Sequence, residues 1–141
     1  MSAVDELEAA IAAHLRGARL KQSRHRDYSA SRDAREAAIY ARVSPLADDA
    51  ARALDAQVAA CQDAASSLGV SAPLIFADIA GGDTLDRPRL AELRAAIARD
   101  WVEMVLVTGL DRLARNPALL AALTVEWSAT GVTIVAIERT S

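Results

Sequence analysis

The sequence predicts an α/β domain, an open parallel sheet of about four strands with flanking helices, preceded by a helical N-terminal extension. Short apolar runs rich in β-branched residues recur about 30 residues apart, and each gap holds a stretch with helical periodicity. Polar and charged residues gather directly after the runs rather than within them. Strand–helix–strand alternation at this spacing is the βαβ signature, and right-handed crossovers make such a sheet parallel.

The first 36 residues differ in character from the rest. Ser2 to Asp5 resembles a capping box, and Val4, Leu7, Ile11 and Leu15 follow at helical spacing. A helix over 3–15 is expected, continuing past Gly17 towards residue 24. Residues 22–35 are nearly free of apolar side chains and read as a linker. This extension is either a solvated appendage, a basic arm that touches nucleic acid, or a helix that docks on a partner. Its candidate DNA-binding residues are Arg16, Arg19, Lys21, Arg24 and Arg26.

From residue 37 the pattern becomes regular, a Rossmann-like succession over 37–141. Ile39, Tyr40 and Val43 favour a strand over 37–43, and Ser44-Pro45 stops it, because proline cannot continue a ladder. A helix at about 50–68 places Leu54, Val58, Cys61, Ala65 and Leu68 on one face, and Gly69 is placed to end it. Leu74 to Ala77 is the second strand, with Asp78 at its exit. Pro88 suits a first helical position, and a helix over 88–99 buries Leu90, Leu93 and Ile97. Val102 to Val107 is the third strand. Pro117 opens a helix carrying Leu119, Leu120, Leu123 and Trp127, and Gly131 breaks it before a fourth strand, Val132–Ile137.

Composition bounds the function. At 141 residues the chain is one domain, and its 52% hydrophobic content beside 25% charged residues is that of a soluble globular protein. No apolar run approaches the ~18–20 residues of a membrane span, and no signal-peptide core is present, so a cytoplasmic protein is expected. Cys61 is alone, which excludes an internal disulfide and a multi-cysteine zinc site. Both histidines, His14 and His25, lie in the extension, so a histidine dyad or histidine-rich metal centre in the main domain is excluded. The net charge of −3 hides an asymmetry: residues 14–35 carry seven bases against two acids, and residues 36–141 nine bases against 14 acids. An acidic body argues against DNA binding by global electrostatics alone.

The strand exits supply the candidate chemistry. Arg42 and Ser44 follow the first strand, Asp78 the second, and Asp111, Arg112 and Arg115 the third. In a parallel sheet these exits share one edge, where α/β folds bind ligands. Taken singly, Ser44 reads as a turn residue, Arg42 as a surface or ion-paired residue, and Arg87 as part of a helix cap with Asp86. If 111–115 is helical, Arg112 and Arg115 share an exposed face. Taken together, four arginines around one serine make a poor core, since like charges repel and burial is costly. A phosphate explains them, because guanidinium binds phosphate oxygens in bidentate fashion and keeps its charge. No phosphate-binding loop of the Walker or dinucleotide type is present.

Five motifs stand in one register: Tyr40-Ala-Arg-Val-Ser44, Leu54-Asp-Ala-Gln57, Phe76-Ala-Asp78, Asp86-Arg-Pro88 and Leu110-Asp-Arg-Leu-Ala-Arg-Asn116. Together they resemble the catalytic domain of serine recombinases, the resolvase/invertase family, over about residues 37–138. The wording is similar to that of large serine integrases and transposon recombinases. The resemblance implies a site-specific recombinase in which Ser44 attacks a DNA phosphodiester, giving a 5′-phosphoserine link and a free 3′-hydroxyl. It implies that Arg42, Arg87, Arg112 and Arg115 hold the scissile phosphate with Asp111 beside them, and that Gln57 and Asp78 support them. It implies no cofactor and no metal, DNA as partner, and dimers that pair into tetramers.

Two departures qualify these expectations. The family continues past the fourth strand with a long helix and a DNA-binding domain, whereas this sequence stops at Ser141, and about 36 residues precede the first strand. Weak or absent self-association is therefore expected, with DNA affinity supplied by the basic arm or by a separate DNA-binding protein. Pro45 replaces the usual small hydroxyl residue after the serine. The alternative reading is a non-catalytic resolvase-like protein acting as a regulator or partner-binding module.

Overall fold

A computed structural model describes residues 35–138. The expected N-terminal helix, most of the linker and the basic candidates Arg16, Arg19, Lys21, Arg24 and Arg26 lie outside the described residues.

The apolar runs form four strands: β1 (Glu36–Val43), β2 (Leu74–Ile79), β3 (Val102–Val107) and β4 (Thr133–Ala136). The helices between them are α1 (Ala50–Ser67), α2 (Pro88–Ala98) and α3 (Pro117–Ser128), with one 3₁₀ turn at Leu110–Arg112. The strands pair in parallel in the order β2-β1-β3-β4. This order departs from chain order and leaves β1 in the interior of the sheet, where helices on both faces bury nearly all its residues.

Alternation along each strand divides the core in two. Ala38, Tyr40, Val105 and Val107 face Leu90, Leu93 and Ile97 of α2 and Leu123 and Trp127 of α3. Ile39, Ala41, Val43 and Leu106 face Leu54, Val58, Cys61 and Ala65 of α1. Truncating a buried leucine such as Leu54 or Leu93 to alanine costs about 2–5 kcal/mol in cores of this kind, so both layers are needed.

Helix ends follow partly from sequence. Gly69, at φ 82°, ends α1 in the left-handed region. Asn116 caps α3, its side chain accepting from the Ala118 and Leu119 N–H groups at 2.8 and 3.3 Å. Two expectations are corrected, on Leu68 and on the fourth strand, and the condition on segment 111–115 is not met. Leu68 is not on the buried face of α1 but 54% exposed, because the helix has already ended when it is reached. Segment 111–115 is not a helix: one 3₁₀ turn is followed by an irregular stretch, which separates Arg112, half-buried, from Arg115, exposed. The fourth strand is four residues rather than six, although Ile137 and Glu138 still donate to the Val107 and Thr108 carbonyls.

Candidate active site

The carboxyl end of β1 is fixed from α1. Gln57 accepts from the Arg42 N–H at 3.1 Å and donates to the Arg42 carbonyl at 2.9 Å, continuing the ladder with a side chain. Two residues on, Ser44 is half-buried, and its Oγ accepts from the Leu46 N–H at 3.0 Å within a tight turn. That bond uses one lone pair of the hydroxyl and leaves its proton unassigned.

Arg42 turns inward and is 2% exposed. Its guanidinium donates to the carbonyls of Arg112 at 3.1 Å, Ala80 at 2.9 Å and Asp111 at 3.0 Å, so it ties the loops after β2 and β3 together. Burial pushes Arg42 below its ordinary value; Arg87 adds to this, Tyr40 opposes it, and Arg112 and Arg115 lower it further. Arg42 thus feels the charge of the other three arginines.

Arg87 is wholly buried. It donates to the carbonyls of Thr84 at 2.9 Å and Arg112 at 3.0 Å, to the Tyr40 hydroxyl at 3.1 Å and to the Leu113 carbonyl. With four of its five N–H groups so used, Arg87 holds up the segment that carries Arg112 and Arg115. Tyr40 donates in turn to Asp78 at 2.7 Å. Burial first, then the Asp78 carboxylate, hold the Tyr40 phenol well above its usual value, with Arg87 opposing. Asp78 also accepts from the Arg89 and Leu90 N–H groups, both at 2.9 Å, so it caps α2 from β2. Asp86 and Arg87 form no side-chain cap.

Arg115 lies across Gly82. A Cβ at Gly82 would stand 2.4 Å from its Cγ and 3.0 Å from an Arg42 terminal nitrogen, so only glycine admits this packing. The Asp111 side chain is exposed while its carbonyl serves Arg42. Among the described residues no carboxylate forms an ion pair with Arg42, Arg87, Arg112 or Arg115. Uncompensated cations at one edge attract an anion.

A cavity of about 460 Å³ opens at this edge, lined by Ser44, Gln57, Thr108, Arg112 and Glu138 among others. It brings Ser44 and Arg112 together. Arg42, Arg87 and Arg115 are not in the lining, and Asp78 belongs to the buried network of Tyr40 and Arg87. Tyr40, Gly82 and Thr108 take part although no sequence argument gave them a role. Thr108 carried one signal, a hydroxyl directly at a strand exit. No cluster of three or more metal-ligating side chains occurs among the described residues, and none of their helices is long and apolar enough to cross a membrane.

A family model described as the resolvase N-terminal domain matches residues 37–141, most of the chain and all four strand exits. The chain belongs to the resolvase N-terminal domain family. Within it, the chain is 39% identical to the transposon Tn3 resolvase of Escherichia coli over 95 residues, 67% of this chain and 46% of that protein. It is 38% identical to the R46 site-specific recombinase of Escherichia coli over 67% of this chain and 45% of that protein. This resolvase-family chain thus spans about half the length of the curated relatives it matches. Among solved structures, the C-terminal catalytic domain of ISC1926 TnpA, an IS607-like serine recombinase, aligns with a TM-score of 0.68 at 29% identity, over 75% of this chain and 69% of that one. A serine recombinase from Sulfolobus solfataricus aligns at 0.65 and 26% identity, over 77% and 71%.

Proposed function

We propose that residues 37–141 are the catalytic domain of a site-specific DNA recombinase with Ser44 as the nucleophile. The observation that carries this reading is the shared cavity of Ser44 and Arg112, backed by the buried and uncompensated Arg42. Ser44 Oγ attacks the phosphorus, the P–O3′ bond breaks, and the new bond is a 5′-phosphoserine ester. The hydroxyl proton leaves Ser44 and a proton reaches the 3′ oxygen, so the step balances without oxidant or nucleotide. Rejoining is the reverse attack by a 3′-hydroxyl.

Each candidate has a role suited to its placement. Arg112 meets the phosphate in the cavity, and Arg115 approaches from its exposed position across Gly82. Arg42 and Arg87 keep both in place and add positive potential, which favours the charge developing on phosphate oxygens. Gln57 aims β1, and Asp78 with Tyr40 anchors Arg87. Asp111, exposed beside Arg112, steers an arginine or takes a proton. No metal or cofactor has a part in this scheme. DNA is the partner, and exchange between duplexes brings several copies together. Arg16, Arg19, Lys21, Arg24 and Arg26, or a separate DNA-binding protein, add affinity that the acidic body lacks.

The Leu46 bond to Ser44 Oγ favours the second reading, a non-catalytic regulator that keeps the fold, because it gives the serine a structural task. A hydroxyl with two lone pairs can do both. The two readings part on a nicked duplex carrying flanks of the protein's own gene. The catalytic reading expects a denaturation-resistant protein–DNA adduct that Ser44→Ala abolishes. No adduct on any flank, with a DNA-binding partner supplied, decides for the regulator.

A further inference from the structure

Two buried polar atoms of residues that line the cavity with Ser44 have no partner among the described residues. Thr108 is 2% exposed and its Oγ1 has no hydrogen-bond partner, and the Arg112 Nε is equally without one. Both residues line the cavity that Ser44 lines.

The position of Thr108 is set by the sheet. It directly follows β3, and alternation puts it on the same face as Leu106, beneath α1. Its carbonyl accepts from the Glu138 N–H at 2.8 Å, so the backbone is held across to the segment that follows β4. A β-branched side chain on such a backbone has little rotamer freedom. Valine would fill the same volume without burying a hydroxyl, and an unpartnered buried hydroxyl is destabilising against its apolar isostere. A ligand atom in the cavity would supply the missing partner. Its charge follows from the neighbours: the Arg112 guanidinium has no carboxylate ion pair, and the Gln57 amide is engaged with the Arg42 backbone. Glu138, the one carboxylate of the lining, is exposed, and the buried unpartnered donors of the lining, Thr108 Oγ1 and Arg112 Nε, suit an anion.

We infer that Thr108 donates a hydrogen bond to a non-bridging oxygen of the scissile phosphate, beside Arg112 Nε, as a catalytic contact additional to Ser44 and the arginines. This rests on the DNA-cleavage reading above. A non-bridging oxygen gains negative charge as the Ser44 oxygen adds to phosphorus, so the bond strengthens in the transition state. Thr108 itself forms no covalent bond and loses no proton.

The test compares the full chain with Thr108→Val and Thr108→Ser on the nicked duplex, with a scissile phosphate that is normal or carries sulfur at either non-bridging position. Thr108→Val is expected to melt no lower than wild type while forming the adduct about a hundredfold more slowly, and Thr108→Ser to stay within about tenfold of wild type. Sulfur at one of the two positions slows wild type and loses that effect in Thr108→Val. Three results overturn the inference: wild-type rate in Thr108→Val, equal loss in both variants, or a lower melting temperature with the sulfur effect intact. Absence of any Ser44-dependent adduct from wild type would overturn the cleavage reading and this contact with it, whereas a wild-type adduct unaffected by Thr108→Val removes this contact alone.

Discussion

The Gln57 amide holds both backbone groups of Arg42 through bonds of 3.1 and 2.9 Å, so the end of β1 is held by a side chain of α1 on one side and by pairing with β2 on the other. Gln57→Ala leaves the buried Arg42 N–H without an acceptor and its carbonyl with only the Arg112 Nη1 donor at 3.3 Å. We expect it to cost about 1–3 kcal/mol in urea denaturation and to slow adduct formation as well. Two other buried groups predict the alkaline limit of the fold. Burial, and then Glu138, push the Cys61 thiol from 9.0 up to about 11, and the Tyr40 phenol is raised beyond that range. Both stay protonated in the fold where the unfolded chain ionises. Their stabilisation is therefore complete below pH 9 and is lost as pH rises, first through Cys61 and then through Tyr40. Urea midpoints measured against pH should hold steady from 7 to about 9 and fall above it, and Cys61→Ala should move the onset towards the ordinary tyrosine value of 10.0. A midpoint unchanged to pH 11 would contradict the buried assignment of both groups.

Among the elements, the three longer strands were legible because each is an apolar run between helical patterns, and β1 and β3 are covered by helices on both faces. The end of β4 was not, since the chain keeps bonding to the Val107 and Thr108 carbonyls after the regular strand has ended. Pro88 marked the start of α2, but Asp78, ten positions earlier, supplies the cap, and no local pattern reveals a cap delivered by another strand. The case of α3 is the reverse. Asn116-Pro117 reads as cap and first helical residue, and the side chain does accept from two N–H groups. Asn116→Ala should cost about 1 kcal/mol, visible as a lower melting temperature, and should loosen the stretch leading back to Arg115. An unchanged melting temperature would mean that packing of Leu123 and Trp127 alone sets the helix.

Over the whole molecule, parallel topology brings the ends of β1, β2 and β3 to one edge, and that convergence was readable from the order of strands and polar residues. The use of each arginine was not. Arg42 and Arg87 look alike in sequence to Arg112 and Arg115, yet the first two are buried against main-chain carbonyls and only Arg112 reaches the cavity. A guanidinium has five donors and no sequence pattern says whether carbonyls or phosphate oxygens will meet them. Arg42 and Arg87 set the loops, and Arg112 gives one donor to the Arg42 carbonyl at 3.3 Å, its others being the ones the proposed function assigns to a phosphate. The purpose of the site turns on Ser44. The most direct measurement is tandem mass spectrometry of the protein–DNA adduct trapped on a nicked duplex and digested to peptides. The account predicts a single 5′-phosphate ester on Ser44 and a free 3′-hydroxyl on the released strand; an ester on any other residue, or a 3′-phosphate link, would contradict it.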